Sequence, residues 1–146
     1  RLLDLGLDPV NFSDALLGVL AQRLMRTLCA ACKEEYTPSK HDLDHLIDSY
    51  GRDQFDELEV DINNVRLFRA VGCDDCGGTG YKGRTGIHEL LTGTHEMRSL
   101  IYDKADLEDM RQQALRDGMR TLKQDGINKI FMGLSDYKQL LRVVAE

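Results

Sequence analysis

The sequence predicts an α+β fold, mostly helical, with a small four-cysteine sub-domain that contains a β-hairpin and with a helical bundle at its C-terminal end. Three observations over the 146 residues carry that expectation. Apolar residues recur at three- and four-residue steps in several separate stretches, the spacing of one helix face. Over residues 57–70 the apolar period drops to two, the spacing of a strand. All four cysteines fall in two close pairs, Cys29 with Cys32 and Cys73 with Cys76.

Taken in chain order, Leu17, Leu20, Leu24 and Leu28 predict a helix over Asn11–Leu28, capped by Asn11, Ser13 or Asp14, with Pro9 just ahead of its start. Leu43, Leu46, Ile47 and Tyr50 predict a second helix over Ser39–Tyr50. Ser39 and Asp42 form a carboxylate version of a capping box, and Gly51 is its stop. Leu58, Val60 and Ile62 then alternate with Glu57, Glu59 and Asp61. A turn at Asn63-Asn64 would return Val65-Arg66-Leu67 as the second arm of a hairpin, setting Ile62 against Val65, Asp61 against Arg66 and Val60 against Leu67. The stretch Gly72–Gly86 holds six of the 13 glycines and reads as loop. Ile87–Leu91 fits either a short strand or the entry to a helix. Beyond Thr92 the pattern is helical: Leu107, Met110 and Ala114 mark one helix, Ile127, Ile130 and Phe131 another, and Tyr137, Leu140, Leu141 and Val144 a last one capped by Ser135. Gly118, Gly126 and Gly133 read as short gaps between packed helices.

Composition narrows the function. Hydrophobic residues are 42% and charged residues 30% of the chain, which is globular rather than disordered. Nineteen Lys and Arg against 25 Asp and Glu leave a net charge of −6, which disfavours a general nucleic-acid binder, since phosphate affinity comes mainly from basic residues. No apolar run approaches the roughly 20 residues that span a bilayer. The chain begins Arg1-Leu2-Leu3-Asp4, without an initiator Met, and so reads as a fragment whose N-terminal part is missing.

The cysteines carry the chemistry. Each C-x-x-C spacing lets a tight turn aim two sulfurs at one point about 2.3 Å away, and the second pair completes a tetrahedron. That predicts a structural metal held by Cys29, Cys32, Cys73 and Cys76, with zinc preferred to iron and no coordination position left for catalysis. The 40 residues between the pairs exceed the usual 15–20, so a sub-domain folds inside the gap. Two disulfides and a redox C-x-x-C are the competing readings. Close pairs fit a secreted scaffold poorly, and a thioredoxin-like βαβ context is lacking.

Several other patterns are weaker. Gly78–Gly83 spells G-x-G-x-x-G, and Gly78–Thr85 nearly spells a Walker A loop with Arg84 in place of lysine. Both follow a cysteine knuckle where a phosphate site needs an apolar strand. Cys73–Gly80 fits one C-x-x-C-x-G-x-G unit of the J-domain co-chaperone zinc fingers, which carry four. His41 and His45 stand four apart on the expected helix, but among Asp42, Asp44 and Asp48 a solvated face is the simpler account. Eight acidic residues against one basic one between His41 and Asn64 form a solvated face or a surface for a basic partner. No constellation of catalytic side chains stands out.

Four separated motifs resemble one family in the right order: Ala21-Gln22-Arg23-Leu24-Met25-Arg26-Thr27-Leu28-Cys29; Gly80 to Leu91, reading GYKGRTGIHELL; Gly118-Met119-Arg120-Thr121-Leu122 with Asp125-Gly126; and Leu141-Arg142-Val143. The combination resembles the C-terminal part of the type II secretion and type IV pilus assembly ATPases. The resemblance implies a cytoplasmic hexameric motor at the inner membrane that couples ATP hydrolysis to assembly of a pilus or pseudopilus, with membrane platform proteins as partners and no direct nucleic acid. It implies that the nucleotide motifs, with ATP and Mg2+, precede this region, leaving no catalytic residue here. Residues 1–28 would be the terminal helix of the ATPase core, 29–91 the zinc-binding insertion and 92–146 the C-terminal helical domain. Two rival readings stand beside it. One is a free-standing, zinc-stapled interaction module of chaperone type. The other is a zinc-ribbon nucleic-acid binder using Arg66, Arg69, Lys82 and Arg84.

Overall fold

A computed structural model describes residues 3–144; Arg1, Leu2, Ala145 and Glu146, at the ends of the two outer expected segments, lie outside the described residues. The chain forms two compact units, each discontinuous in sequence. Among the described residues, one comprises residues 3–21 and 89–121, the other residues 22–88 and 122–144.

In the first unit a 3-10 turn at Leu3–Leu5 precedes α1 (Pro9–Ala15), which is capped by Asp8, whose carboxylate accepts the Val10 amide at 3.0 Å, with Pro9 in the first turn where its missing N–H costs nothing. Asp8, one step before the proline, takes the cap expected of Asn11, Ser13 or Asp14. The helix predicted over Asn11–Leu28 ends at Ala15. Leu16 turns extended, and Gly18–Leu28 is a strand, β1. β1 pairs with β4 (Tyr81–Thr92) in a two-stranded ribbon. The leucine stripe that suggested a helix is largely the outward side of this strand: Leu20 and Leu24 are 59% and 52% exposed, while Met25, one position on, is fully buried. A strand alternates sides at every residue, so Met25 rather than the leucine series reports the covered face. After β4 come α3 (His95–Tyr102) and α4 (Leu107–Arg116), capped by Thr94 and Asp106. Leu16, Met97, Ile101 and Ala114 form this unit's small core.

The second unit holds the cysteines. β2 (Glu34–Tyr36) leads into α2 (Lys40–Tyr50), where the predicted cap forms: Ser39 Oγ accepts the Asp42 amide at 3.1 Å, and Gly51 ends the helix with positive φ. The expected hairpin over 57–70 does not form. Phe55–Leu58 make a 3-10 turn that ends at Glu59 in the left-handed region. Phe55 is buried edge-on against Tyr50 and Phe131, with ring centroids 6.1 and 5.4 Å away. That aromatic anchor outweighs the alternating pattern beside it. A turn does form at Asn63, whose amide meets Asp61 Oδ1 at 3.0 Å. The returning strand, β3 (Leu67–Arg69), pairs antiparallel with β2, setting Glu34 against Arg69, Glu35 against Phe68 and Tyr36 against Leu67. The glycine-rich stretch is loop only as far as Gly80; Tyr81 onward is β4, which also resolves Ile87–Leu91 as strand.

The predicted helices after Thr92 are present, but they do not make one bundle: α3 and α4 belong to the first unit, α5 (Leu122–Phe131) and α6 (Tyr137–Val143) to the second. Asp136 caps α6 by accepting the Gln139 amide at 2.9 Å, while Ser135 is used elsewhere. Gly126 is no gap. It lies inside α5, where a Cβ would come within 2.2 Å of Leu140, so its lack of a side chain lets α6 close on α5. Met25, Leu46, Phe55, Ile87, Ile127 and Leu140 anchor the larger core that results.

Candidate metal centre

The two knuckles are built by backbone hydrogen bonds from residues on either side. β1 ends at Leu28, and the carbonyl of Cys29 accepts the amides of Cys32 and Lys33 at 3.3 and 2.9 Å, which folds the first C-x-x-C into a turn. Asp74–Cys76 form a 3-10 turn, closed by the Gly78 amide on the Cys73 carbonyl at 2.8 Å. Gly80 links the two: its amide points at Cys76 Sγ, 3.2 Å away, while its carbonyl accepts the Cys29 amide at 2.9 Å. It does so at φ +82, and a Cβ there would meet that of Ala70 at 2.7 Å, so only glycine fits.

The four sulfurs lie within 4.8 Å of one another. Cys29 to Cys73 is 3.8 Å, Cys73 to Cys76 is 3.8 Å and Cys32 to Cys76 is 3.9 Å. A tetrahedron of thiolates about 2.3 Å from a central ion has edges of about 3.8 Å, so the donor set fits such an ion. A disulfide needs sulfurs at about 2.05 Å, and all four cysteines are free. Three amides, those of Gly72, Cys73 and Gly80, point at sulfurs from 3.2–3.3 Å, which is the geometry that stabilises thiolate. Desolvation pushes the Cys76 thiol up, but the Cys73 and Gly80 amides and the neighbouring Cys73 and Cys32 thiols outweigh it and bring it down to about 6. At Cys32 the Gly72 amide lowers the thiol, yet desolvation and the other three cysteines raise it to about 11. The amides at Cys76 thus favour thiolate, and the cluster must release protons when a metal binds. Lys82 sits beside the second knuckle, its ammonium 2.9 Å from Asp75, whose hydrogen bond and charge hold it protonated above its usual range.

Around the knuckles lies a set of anchors that the sequence reading missed. Leu28 donates to the Leu134 carbonyl at 2.9 Å, Ser135 Oγ to the Arg26 carbonyl at 2.7 Å and Lys33 Nζ to the Gly133 carbonyl at 2.8 Å. Tyr81 donates to Asp136. All four fasten the α5–α6 connection to residues flanking the knuckles across about a hundred residues of sequence or half that, and no local spacing could reveal them.

The weaker sequence candidates do not converge on one site. His45 Nε2 lies 3.1 Å from the Tyr137 hydroxyl, and His41 is exposed next to Asp42, so the two histidines do not share a site. Arg66 donates to Thr37, Arg69 stacks on Tyr36 at 4.3 Å and Lys82 pairs with Asp75. The glycine motifs at Gly78–Thr85 run from the knuckle into β4, whereas both phosphate-binding patterns require a helix there.

Fold and site together define an α+β protein with a cluster of four cysteines that could hold a metal ion. Its family follows from likeness: the family model described as type II/IV secretion system protein matches residues 1–142, and the chain belongs to that family. The chain is 40% identical over 141 residues to the type IV pilus assembly ATPase PilB of Thermus thermophilus, covering 97% of this chain and 15% of that protein. It is 38% identical over 146 residues to the type II secretion system ATPase E of Vibrio cholerae, covering all of this chain and 27% of the relative. Type IV pilus assembly ATPase TfpB of Acinetobacter baylyi is 37% identical over 144 residues, 99% of this chain and 23% of that one. The chain thus spans between 15% and 27% of the length of these curated relatives.

Proposed function

We propose that this chain is the C-terminal, non-catalytic region of a hexameric motor ATPase that powers pilus or pseudopilus assembly, and that its cysteine tetrad holds a structural zinc ion. The observation that carries the reading is the tetrad itself, spaced as a thiolate tetrahedron requires, within a chain whose relatives are named secretion and pilus assembly ATPases. ATP and Mg2+ would bind in the rest of such a motor, at the cytoplasmic side of the inner membrane, where platform proteins would be its partners. Among the described residues no helix is long and apolar enough to cross a membrane.

In this reading residues 1–28 complete the ATPase core, 29–91 form the zinc-binding insertion and 92–146 the helical C-terminal part. The unit that carries the cysteines draws on all three segments, since residues 22–28 belong to it and α5 and α6 pack within it. Zinc would join the end of β1, at Cys29, to the knuckle that feeds β4, at Cys73. Structural zinc contributes on the order of 10 kcal/mol of apparent binding energy, enough to make that junction rigid. Motion of β1 during an ATP cycle would then move the insertion as one lever. Cys73→Ser in the full-length motor tests this, with assembly and ATP hydrolysis assayed separately. Assembly is expected to fall at least tenfold, and full retention of both activities would refute the lever.

A further inference from the structure

A cavity of about 250 Å³ opens on the metal-bearing unit among α2, the β2/β3 pair, α5 and the start of α6. Leu46, Leu67 and Ile130 give it an apolar floor, and Tyr36 and Phe68 add aromatic surface. Another wall is braced: the rings of His45 and Tyr137 stand perpendicular at 5.3 Å, with His45 Nε2 3.1 Å from the Tyr137 hydroxyl. Apart from His45, the titratable charges that line it are both carboxylates, Asp42 and Asp136.

Size and charge together select the occupant. The volume lies below the roughly 300–1,000 Å³ of sites that enclose a whole cofactor or drug-sized ligand, so one amino-acid side chain is the natural scale. Two carboxylates repel phosphates and other anions; Asp136 already accepts the Gln139 amide and the Tyr81 hydroxyl, and an entirely apolar group would strip Asp42 of water with nothing in return. A cation on an aliphatic stem satisfies both parts: the stem lies on the leucines and isoleucine, and the charged head reaches the carboxylates. Two cations already stack on rings of this cavity, and each is engaged: Arg69 on Tyr36 with Glu34 at 3.9 Å, and Lys33 at 4.4 Å from Phe68 while donating to the Gly133 carbonyl. Desolvation holds the Tyr36 hydroxyl above its usual range, Arg69 opposes this, and Asp42 and Asp136 add to it. Arginine suits the site better than lysine, because a planar five-donor head can serve two separate carboxylates and lie against a tyrosine ring.

We infer that this cavity is a docking pocket for an arginine side chain presented by a segment of a partner protein, its stem on Leu46, Leu67 and Ile130 and its guanidinium shared by Asp42 and Asp136. The inference goes beyond the motor reading and does not need it: any partner with an arginine between aliphatic residues would serve.

The test is a backbone-amide NMR titration of the metal-loaded 146-residue chain with four probes: a capped tripeptide carrying arginine between two leucines, the same peptide with citrulline, the same with glutamate, and spermidine. The arginine peptide should shift resonances of residues lining the cavity and bind about tenfold tighter than its uncharged citrulline counterpart, with the glutamate peptide weaker still. Asp42→Asn should remove most of that preference, while Asp44→Asn, on the same helix but outside the cavity lining, should leave it intact. Equal binding of arginine and citrulline peptides, shifts confined to another surface, or an unchanged preference in Asp42→Asn would overturn the proposal. So would spermidine binding as tightly as the arginine peptide, which would mark a site for free polyamines.

Discussion

The two units of this chain are held together by different means. In the first, α1, α3 and α4 are joined by packing and by half-buried side-chain hydrogen bonds. Met97 and Ile101 fill the small core, Arg98 donates twice to the Leu16 carbonyl at 2.8 and 3.1 Å, and Thr94 donates to Asp117 at 2.7 Å. The second unit has the larger core, yet it is the one that carries the cysteine tetrad. The contrast shows that the cysteine cluster is not placed simply where a core is small. The tetrad lies at the margin of the larger core, where β2 and β3 are three residues each and residues 71–79 include no buried side chain. There glycines and aspartates offer little apolar area to bury, and on the proposed reading four metal–sulfur bonds would take the part that packing takes elsewhere.

The comparison can be broken most sharply by removing the metal. Chelation should cost the second unit stability on the order of 10 kcal/mol at its knuckles. Amide exchange should then rise over residues 29–36 and 70–80 while α3 and α4 keep their protection. Equal loss in both units would mean that the division of roles is wrong. A smaller effect is expected from Gly80→Ala, which forces a side chain into the left-handed region and against Ala70. About 3 kcal/mol of destabilisation should appear in chemical denaturation, together with weaker metal retention against a competing chelator. Smaller again is Ser135→Ala. It leaves the Arg26 carbonyl without its hydroxyl donor and should cost about 1–2 kcal/mol without changing metal content, which separates the α5–α6 anchors from the ligands themselves.

What the sequence disclosed tracks the distance over which each signal acts. The tetrad was legible because each C-x-x-C is a covalent spacing of four residues, and the cap at Ser39 because it acts within one turn. β1 was misread because leucines spaced for a helix occupy a strand whose outward side stays apolar, so periodicity and burial disagree at Leu20 and Leu24. The hairpin was misplaced because β3 pairs with Glu34–Tyr36, more than thirty residues upstream, rather than with the alternating run beside it. Nothing in residues 57–67 encodes that partner. The pairing rests on Phe55 being drawn into the core and on Arg69 meeting Glu34 and Tyr36. The family was readable in full from short motifs, while the anchors at Gly133, Leu134, Ser135 and Asp136 required the fold.

X-ray absorption at the zinc edge on the purified, unreduced chain bears most directly on the central claim. One zinc per chain with four sulfur neighbours at about 2.3 Å is the expected result. A metal-free protein, or a first shell containing nitrogen or oxygen, would contradict it.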